Sequence, residues 1–164
     1  MLKLLYNKVM EPYANNKDAR YRYNILEKLE AGIVLAGSEV KAIKTGKSNL
    51  KGSYISFRKG EAFLVKAFIG RYLPSGKNGL YDAERPRKLL LNKRELSHLL
   101  GKAKEKGLTI VPLDLYSKRG IIKVTIAVAR GKTLFDKREV IRERELGRKL
   151  RKLVKEQYRR SNAS

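Results

Sequence analysis

The chain has few residues that are suited to catalysis. It contains one histidine, His98, and no cysteine. Acid–base catalysis needs a second positioned group beside such a histidine, whereas His98 lies next to leucines in a helical pattern, so we interpret it as a partly buried or surface helix residue. Asp82 and Glu84 precede Arg85 and Arg87 and are predicted to form local ion pairs. The glycine–lysine pairs lack the spacing of a phosphate-binding loop. The sequence therefore predicts no enzyme, no metal site and no cofactor.

Residues that bind anions are far more numerous. The 164 residues include 39 Lys and Arg against 16 Asp and Glu, a formal net charge of +23. Such an excess repels itself in a compact protein, so we expect a polyanionic partner that neutralises it. Four clusters of basic and polar residues occupy predicted loops, at 15–20, 44–49, 85–88 and 130–132. Lysine and arginine bind phosphates, and asparagine and serine bind sugars or base edges.

Nine tyrosines add flat surfaces on which unpaired bases can stack. Together with the charge they make nucleic acid the predicted partner. An anionic membrane surface is the alternative for the C-terminal segment, but that segment lacks tryptophan and has few bulky apolar residues for insertion. We therefore expect no membrane partner.

The basic clusters need a scaffold, and the hydrophobic periodicity predicts one that is mainly β. Residues 23–37 alternate as a strand. Residues 53–69 form a predicted hairpin around Lys59-Gly60, and residues 108–130 form two strands around Lys118-Arg119-Gly120. Short antiparallel strands with an intervening helix predict an α+β protein built on a small antiparallel barrel of about six strands. The OB-fold is a common form of such a barrel.

Two helices are predicted within this body. Ser38 is expected to cap a short helix that Gly46 ends. The longer helix has Asn92 as its N-cap, Glu95 completes a capping box three residues later, and Gly107 closes it.

The C-terminal segment has a different pattern. From 136 to 160 it carries 11 Lys and Arg and 5 Asp and Glu, and Asp136 with Glu139 is predicted to cap a helix. Its apolar stripe is narrow, and an isolated helix is marginal in water, so we expect the segment to be disordered when free and to fold against a partner. The predicted parts of the chain are an N-terminal arm over 1–13, a barrel over 14–132 and a basic tail over 133–164.

The compartment is predicted from what the sequence lacks. The absence of cysteine fits a reducing compartment. The first residues, MLKLLYNKVMEPY, are interrupted by lysines and lack the small-residue cleavage site of a secretory signal. No stretch approaches the ~18 consecutive apolar residues of a membrane span. We therefore expect a cytoplasmic protein.

Longer strings of the sequence resemble one family. In chain order they are ILEKLEAGIVLAGSEVKAIKTGKSNLKGSY, DAERPRKLLLNKRELSHLLGK, KGLTIVPLDLYSKRGIIKVTIAVARGK and GKTLFDKRE. They resemble successive blocks of small protein B, the tmRNA-binding (SsrA-binding) protein family. The resemblance extends from Ala14 to Arg160, and several motifs in order are far more specific than any one of them.

The resemblance implies an OB-fold protein that binds the tRNA-like domain of transfer-messenger RNA. Members of this family deliver that RNA to ribosomes stalled on broken messages, which starts trans-translation and the tagging of incomplete proteins. The resemblance also implies that the barrel faces the folded RNA and that the tail enters the decoding centre and the empty mRNA path, where it becomes helical. The expected partners are thus tmRNA and the ribosome, with elongation factor Tu as an indirect partner of a monomeric protein.

The family's motifs place RNA contacts on particular residues of this chain. Matching positions implicate Asn16, Lys17, Ala19, Arg20, Glu39, Lys41, Lys88, Asn92, Lys93, Arg130, Gly131 and Lys132. The basic clusters add Lys47, Ser48, Asn49 and Arg87. The tail residues predicted to bind the ribosome are Phe135, Asp136, Lys137, Arg138, Arg142, Arg148, Lys149, Arg151, Lys152 and Lys155. For Glu39 a structural salt bridge or helix cap is the alternative, and Leu89 and Leu91 are predicted to belong to the core.

Two other classes of protein share part of this pattern. A ribosomal or ribosome-assembly protein with an OB-like barrel would have the same charge and would bind ribosomal RNA without a tRNA-like partner. An RNA-processing enzyme would need an acid–base constellation that the residues above do not supply.

Three positions depart from the family's motifs, and Phe135 is the most informative. Tyr81 and Asn92 stand where the family usually has histidine, and Phe135 where it often has histidine or tyrosine. Phenylalanine cannot donate a hydrogen bond, so we predict that Phe135 acts by stacking on a base, an interaction of about 1–3 kcal/mol. In a stalled-ribosome tagging assay, Phe135→Ala is expected to lower activity and is compared with Phe135→His. If Phe135→Ala is as active as the parent, stacking is not the role of this residue.

Overall fold

The computed structural model describes residues 11–72 and 80–161. Within the last helix it does not describe the side chains of Leu134, Phe135, Lys137, Val140 and residues 159–161. The predictions for Phe135 and Lys137, and those for most of the N-terminal arm, lie outside the described residues. By its internal contacts the chain divides into two compact units, the first ending at Gly131 and the second beginning at Lys132.

The first unit is built on antiparallel strands. In chain order they are β1 (Ala14–Asn15), β2 (Tyr23–Ile33), β3 (Ser48–Asn49), β4 (Tyr54–Arg58), β5 (Glu61–Val65), β6 (Phe68–Ile69), β7 (Arg87–Leu90), β8 (Leu108–Lys118) and β9 (Ile121–Gly131). Seven of them form one sheet in the order β1-β8-β9-β2-β7-β5-β4, and β3 pairs with β6. Because β4 at one edge also lies against β8 near the other edge, the sheet curls into the predicted small barrel.

The sequence analysis assigned no separate strand at β1, β3, β6 or β7, and β7 begins inside the predicted loop cluster at 85–88. Six of the strands in the described residues have four or more residues, and β1, β3 and β6 have two each. A two-residue strand is too short to show an alternation of apolar and polar side chains, so periodicity does not reveal it.

Three helices accompany the barrel, namely α1 (Lys17–Arg22), α2 (Gly37–Lys44) and α3 (Lys93–Lys104). The capping box of α3 is confirmed, since Glu95 N–H donates to Asn92 Oδ1 at 2.8 Å and Asn92 N–H donates to the Glu95 carboxylate at 3.0 Å. The cap predicted at Ser38 is wrong. Helix α2 begins at Gly37 with Ala36 as its N-cap, two residues before the predicted cap, and the N–H of Ala36 donates to Glu39 Oε2 at 2.8 Å.

Helix α1 lies in a segment for which the sequence predicted no regular structure. Its six residues are too few to show an apolar period, and the side chain of Asn16 starts it by accepting a hydrogen bond from Ala19 N–H at 3.0 Å. An asparagine at the N-cap satisfies a backbone donor that the first turn leaves unpaired, so a short polar helix forms here.

Both predicted hairpin turns are confirmed. Lys59 and Gly60 have φ of 49° and 74°, and Arg119 and Gly120 have φ of 52° and 80°. Two successive residues with positive φ form the type I′ turn, whose twist matches that of the flanking strands. Lys66, with φ of 57°, is the remaining non-glycine residue of the described chain with a positive φ.

The core fills the barrel and extends beneath two helices. Its fully buried side chains include Ile43 of α2, Leu99 of α3 and Leu115, Val124 and Ile126 of β8 and β9. The predicted core position Leu89 is confirmed at 3% exposure, and Leu91 is partly buried and packs against the same cluster. The core therefore joins α2 and α3 to the strands of the barrel.

The second unit consists of α4 (Leu134–Ser161). Its capping box lies one turn earlier than predicted, because Thr133 N–H and Oγ1 both donate to Asp136 Oδ2, at 3.1 and 2.9 Å, and Asp136 N–H donates to Thr133 Oγ1 at 3.3 Å. These hydrogen bonds from Thr133 lower the pKa of Asp136. The apolar stripe is exposed along its length, at Leu146, Leu150, Leu153, Val154 and Tyr158. The disorder of this segment in the free protein stays a prediction.

Candidate RNA-binding surfaces

One basic surface forms where α1 enters β2. Lys17, Arg20 and Arg22 lie on α1, and Tyr23, which follows directly, pairs with Gly131 at the end of β9. The neighbouring register pair brings Arg130 beside the same strand. Two of the predicted clusters, more than 100 residues apart in the sequence, are therefore neighbours along the backbone. We call Lys17, Arg20, Arg22, Arg130 and Gly131 the α1 surface.

Asn16 and Ala19 lie beneath the α1 surface and not on it. They are 3% and 4% exposed. The amide nitrogen of Asn16 donates to the carbonyl oxygens of Leu50, at 3.0 Å, and Pro112, at 2.9 Å. A direct contact with RNA does not fit this burial. The two residues instead hold α1 against β8 and the turn that begins at Leu50.

A second basic surface surrounds α2 and β3. Lys41, Lys44, Lys47 and Asn49 are exposed there, while the hydroxyl of Ser48 is buried and has no partner among the described residues. We call these five residues the α2 surface. Because that hydroxyl is covered, Ser48 contributes backbone and not a side chain to any contact with RNA.

Gly70, which directly follows β6, lies close to Lys47 of the α2 surface. Gly70 N–H donates to Lys47 O at 2.7 Å, and a Cβ on Gly70 would lie only 3.2 Å from the Cβ of Lys47. A side chain at this position would therefore require Lys47 to shift by a few tenths of an ångström. Lys41 Nζ lies 5.5 Å from the ring centroid of Tyr72, within the range of a cation–π interaction.

A buried ion cluster lies behind the α2 surface. Glu39 and Arg87 are 1% and 0% exposed. Arg87 Nε donates to Glu39 Oε1 at 2.9 Å, and Arg85 donates to both carboxylate oxygens, at 3.0 and 2.5 Å. Arg87 also donates to the carbonyl oxygens of Ala67 and Ala83, at 2.8 and 3.0 Å. Glu39 is thus both a salt bridge and a cap of α2, and direct contact of Glu39 or Arg87 with RNA does not fit their burial.

This cluster replaces the local ion pairs predicted in the preceding loop. Arg85 and Arg87 pair with Glu39, whereas Asp82 Oδ1 accepts a hydrogen bond from Glu84 N–H at 2.9 Å. Burial favours a higher pKa for Glu39, but the hydrogen bonds from Arg85 and Ala36 and the charge of Arg87 outweigh it, so the pKa is lowered. The carboxylate is therefore held ionised in the interior.

Tyr81, one of the departures from the family's motifs, stabilises the same segment. Its hydroxyl donates to Ile69 O at 2.7 Å, and burial raises the pKa of the phenol. A neutral phenol that donates to a backbone carbonyl ties the segment before β7 to β6.

The remaining predicted barrel contacts comprise two residues that are engaged within the fold and two lysines at the ends of other elements. Lys88 pairs with Glu61 across two strands, and Asn92 is engaged as the cap of α3. Lys93 is exposed at the start of that helix, and Lys132 is half-buried at the start of the second unit.

A network on the outer side of β2, β8 and β9 was missed by the sequence analysis. Glu30 accepts hydrogen bonds from Lys123 at 2.6 Å, from Lys118 at 2.9 Å and from the hydroxyl of Tyr116. Lys123, Tyr116 and Lys118 together lower the pKa of Glu30 to about 2, and burial with the Glu30 hydrogen bond raises the pKa of Tyr116 to about 12. The members lie on three strands, so only the strand register reveals that they meet.

His98 is on the surface of α3 and its Nε2 lies 2.8 Å from Glu27 Oε2. Within the described ranges no group of three or more His, Cys, Asp or Glu is arranged to hold a metal ion. None of the described helices is long and apolar enough to cross a membrane.

Seven of the predicted ribosome contacts of the tail are exposed in the structure. They lie on α4 and comprise Arg138, Arg142, Arg148, Lys149, Arg151, Lys152 and Lys155. Asp136 accepts the capping hydrogen bonds from Thr133 at the start of the helix, as described above.

Comparison with known proteins gives one consistent result. The family model described as SmpB protein matches residues 13–156. The chain is 51% identical over 142 residues to the SsrA-binding protein of Sulfurihydrogenibium sp. (strain YO3AOP1), covering 87% of this chain and 93% of that protein. It is 48% identical over 147 residues to the SsrA-binding protein of Thermosipho africanus (strain TCF52B), covering 89% of this chain and 98% of that one.

A solved structure gives the same result. It is described by the words "tmRNA-SmpB: a journey to the center of the bacterial ribosome", and its matching chain is 47% identical to this one with a TM-score of 0.61. The match covers 73% of this chain and 84% of that one.

The buried ion cluster generates a prediction about stability. Glu39→Gln removes the charge that balances two guanidinium groups, one of them fully buried, and breaking such a pair costs about 3–5 kcal/mol. We expect a loss of this size in the free energy of unfolding, measured by urea denaturation. The matched control is Glu84→Gln, an exposed position in the same segment, where about 0.5 kcal/mol or less is expected. Equal losses in the two variants would contradict the role of Glu39.

Proposed function

The chain belongs to the SmpB protein family, and from this premise we propose that it is an SsrA-binding protein of trans-translation. In this proposal it binds the tRNA-like domain of tmRNA and delivers that RNA to stalled ribosomes, so that incomplete proteins are tagged. The observation that carries the proposal is the extent of the family match, which includes the barrel and most of α4.

In this proposal the two units bind different RNA partners. The barrel carries the α1 and α2 surfaces and binds structured RNA, mainly through phosphates and shape. The second unit is a basic helix with 11 Lys and Arg and 5 Asp and Glu between residues 136 and 160, and it binds the ribosome along the decoding centre and the mRNA path. A single small protein thereby joins two RNA partners.

The proposal also includes the type of activity, the compartment and an indirect partner. The protein acts as a non-enzymatic adaptor, in the cytoplasm where ribosomes translate. Elongation factor Tu is an indirect partner, reached through the RNA that both proteins hold. A ribosomal or assembly protein would account for the charge, but the chain's relatives are named SsrA-binding proteins.

A gel shift tests the RNA partner directly. The tRNA-like domain of tmRNA is titrated at several salt concentrations, with ribosomal RNA fragments as competitors. Affinity should fall as salt rises, because each phosphate contact releases counterions, and the tRNA-like domain should remain preferred throughout. Equal affinity for all RNAs would refute the adaptor proposal, and cleavage of the RNA in the presence of a divalent metal would favour an enzyme.

Removal of the tail tests the division of work. A chain that ends before Asp136 is expected to bind the tRNA-like domain nearly as well as the full chain and to lose tagging, because the missing helix contacts a different partner. Binding is measured by gel shift and tagging in a stalled-ribosome assay. A loss of RNA affinity as large as that of a variant of the α1 surface would contradict this division.

A further inference from the structure

Helix α4 contains one glycine, Gly147, close to its middle. A glycine in a helix interior lowers helix stability relative to alanine, because it loses more backbone freedom on folding. Packing does not require it here, since a Cβ on Gly147 would meet only the end of the Arg151 side chain, at an ordinary contact distance of 3.9 Å. Backbone conformation does not require it either, since Gly147 is not among the glycines with positive φ. The glycine therefore weakens α4 at one point without any gain in packing.

The backbone carbonyl of Gly147 has a second hydrogen-bond donor. In an α-helix this oxygen accepts the backbone N–H of the residue four positions later, which is Arg151. The side chain of Arg151 also donates to it, from Nε at 3.1 Å. A bend that lengthens the backbone hydrogen bond would otherwise leave the carbonyl unpaired, and a side chain that bonds into the helical ladder is a recognised cause of kinks. The guanidinium of Arg151 therefore keeps this carbonyl hydrogen-bonded in a straight helix and in a bent one.

The two halves of α4 on either side of Gly147 differ in charge. Residues 136–146 carry four Lys and Arg and four Asp and Glu, which cancel. Residues 147–160 carry seven Lys and Arg and one Glu, which leaves a net charge of +6. Each half is about 16–21 Å long, longer than the Debye length of about 8–10 Å at physiological salt, so a partner responds to the charge of each half separately. The attraction of α4 for a polyanion therefore lies beyond Gly147.

We propose that α4 acts as two segments joined by a hinge at Gly147. We call residues 134–146 the neutral segment and residues 148–160 the basic segment. The basic segment binds the phosphates of an RNA and follows the direction of that RNA, while the neutral segment is a spacer with little attraction of its own for RNA. That the RNA is ribosomal rests on the proposed function, whereas the hinge and the division of charge rest on α4 alone.

The length of α4 gives the hinge its use. A straight helix of 28 residues extends about 42 Å, so a small change of direction at one end moves the other end by many ångströms. A bend near the middle lets the basic segment align with phosphates independently of the neutral segment. Half of the tail residues that the sequence predicts to bind the ribosome belong to the basic segment, namely Arg148, Lys149, Arg151, Lys152 and Lys155.

A distance measurement tests the hinge. Because the chain contains no cysteine, spin labels can be attached after Glu139→Cys and Gln157→Cys, at two exposed positions of α4. A straight helix places these two Cα atoms about 27 Å apart. Double electron–electron resonance is recorded on the full chain bound to a single-stranded uridine oligomer. We expect shorter distances to be populated in the parent and a shift to the straight-helix distance in Gly147→Ala, and equal distributions in the two proteins would overturn the hinge.

Gly101→Ala is the matched control for the change of residue. Gly101 is an exposed residue inside α3 with nothing within 4 Å of where its Cβ would be, so alanine fits at both glycines without a clash. We expect Gly147→Ala to lower tagging in the stalled-ribosome assay and Gly101→Ala to leave it unchanged. Circular dichroism of the labelled complexes measures their helix content. Different distances at equal helix content identify a bend, whereas a rise in helix content that explains the whole shift would contradict the hinge.

Two double variants test the division of charge. Arg142→Gln with Arg144→Gln removes two cations from the neutral segment, and Arg148→Gln with Lys152→Gln removes two from the basic segment, so the net charge of the chain changes equally. Affinity for the uridine oligomer is measured against salt concentration. Each phosphate contact on a single strand contributes about 0.7 to the slope of log affinity against log salt, so we expect the slope to fall by about 1.4 in the second variant and to stay near that of the parent in the first. Equal changes would show that α4 attracts RNA along its whole length and would overturn the division.

Failure of this inference and failure of the proposed function give different results. If the parent shows no preference for the tRNA-like domain, the proposed function fails, while the distances and salt slopes with the uridine oligomer still decide between a hinged and a uniform α4. If the parent prefers the tRNA-like domain but α4 is straight and the two double variants have equal slopes, the proposed function stands and the two-segment helix is overturned.

Discussion

The carboxylate of Glu39, held between two guanidinium groups in the interior, is the interaction on which the α2 surface depends. A charge in the interior is tolerated only when it is paired and its remaining hydrogen bonds are made. Glu39 meets this condition by joining Arg85 and Arg87 and by capping α2 through Ala36. Through Arg87 the same cluster reaches the backbone of Ala67 and Ala83. One acidic residue therefore fixes the helix that carries the lysines and the two segments beside it.

Asn16 likewise fixes the segments around it, close to where β4 lies against β8. Its side chain uses both the oxygen and the nitrogen of the amide, to start α1 and to hold the carbonyls of Leu50 and Pro112. A buried amide whose bonds are all made specifies one arrangement of the segments around it, since any other arrangement leaves polar groups unpaired. The exposed cations contribute attraction for RNA, and buried polar residues determine where those cations stand.

The sequence predicted those features of the fold and of the candidate site whose interacting residues lie close together along the chain. The hairpins, α3 and its capping box were predicted because their signals lie within a few residues, as with Asn92 and Glu95. The basic clusters were found by composition, but the structure was needed to show that Arg130 joins α1. Burial separates Asn16, Ala19, Glu39 and Arg87 from the exposed cations, and nothing in their local sequence indicates it. The Glu30 network depends on strand register, which a single sequence does not specify.

Three bends of the backbone have a cationic residue in a conformation that favours other residue types. Among the described residues, those other than glycine with positive φ are Lys59, Lys66 and Arg119. Side chains with a Cβ are disfavoured in this region by about 1–2 kcal/mol per residue, and asparagine or glycine would adopt it more readily. All three positions are nevertheless cationic. The positive charge of the barrel thus extends to its tight bends, at positions where backbone conformation alone favours asparagine or glycine.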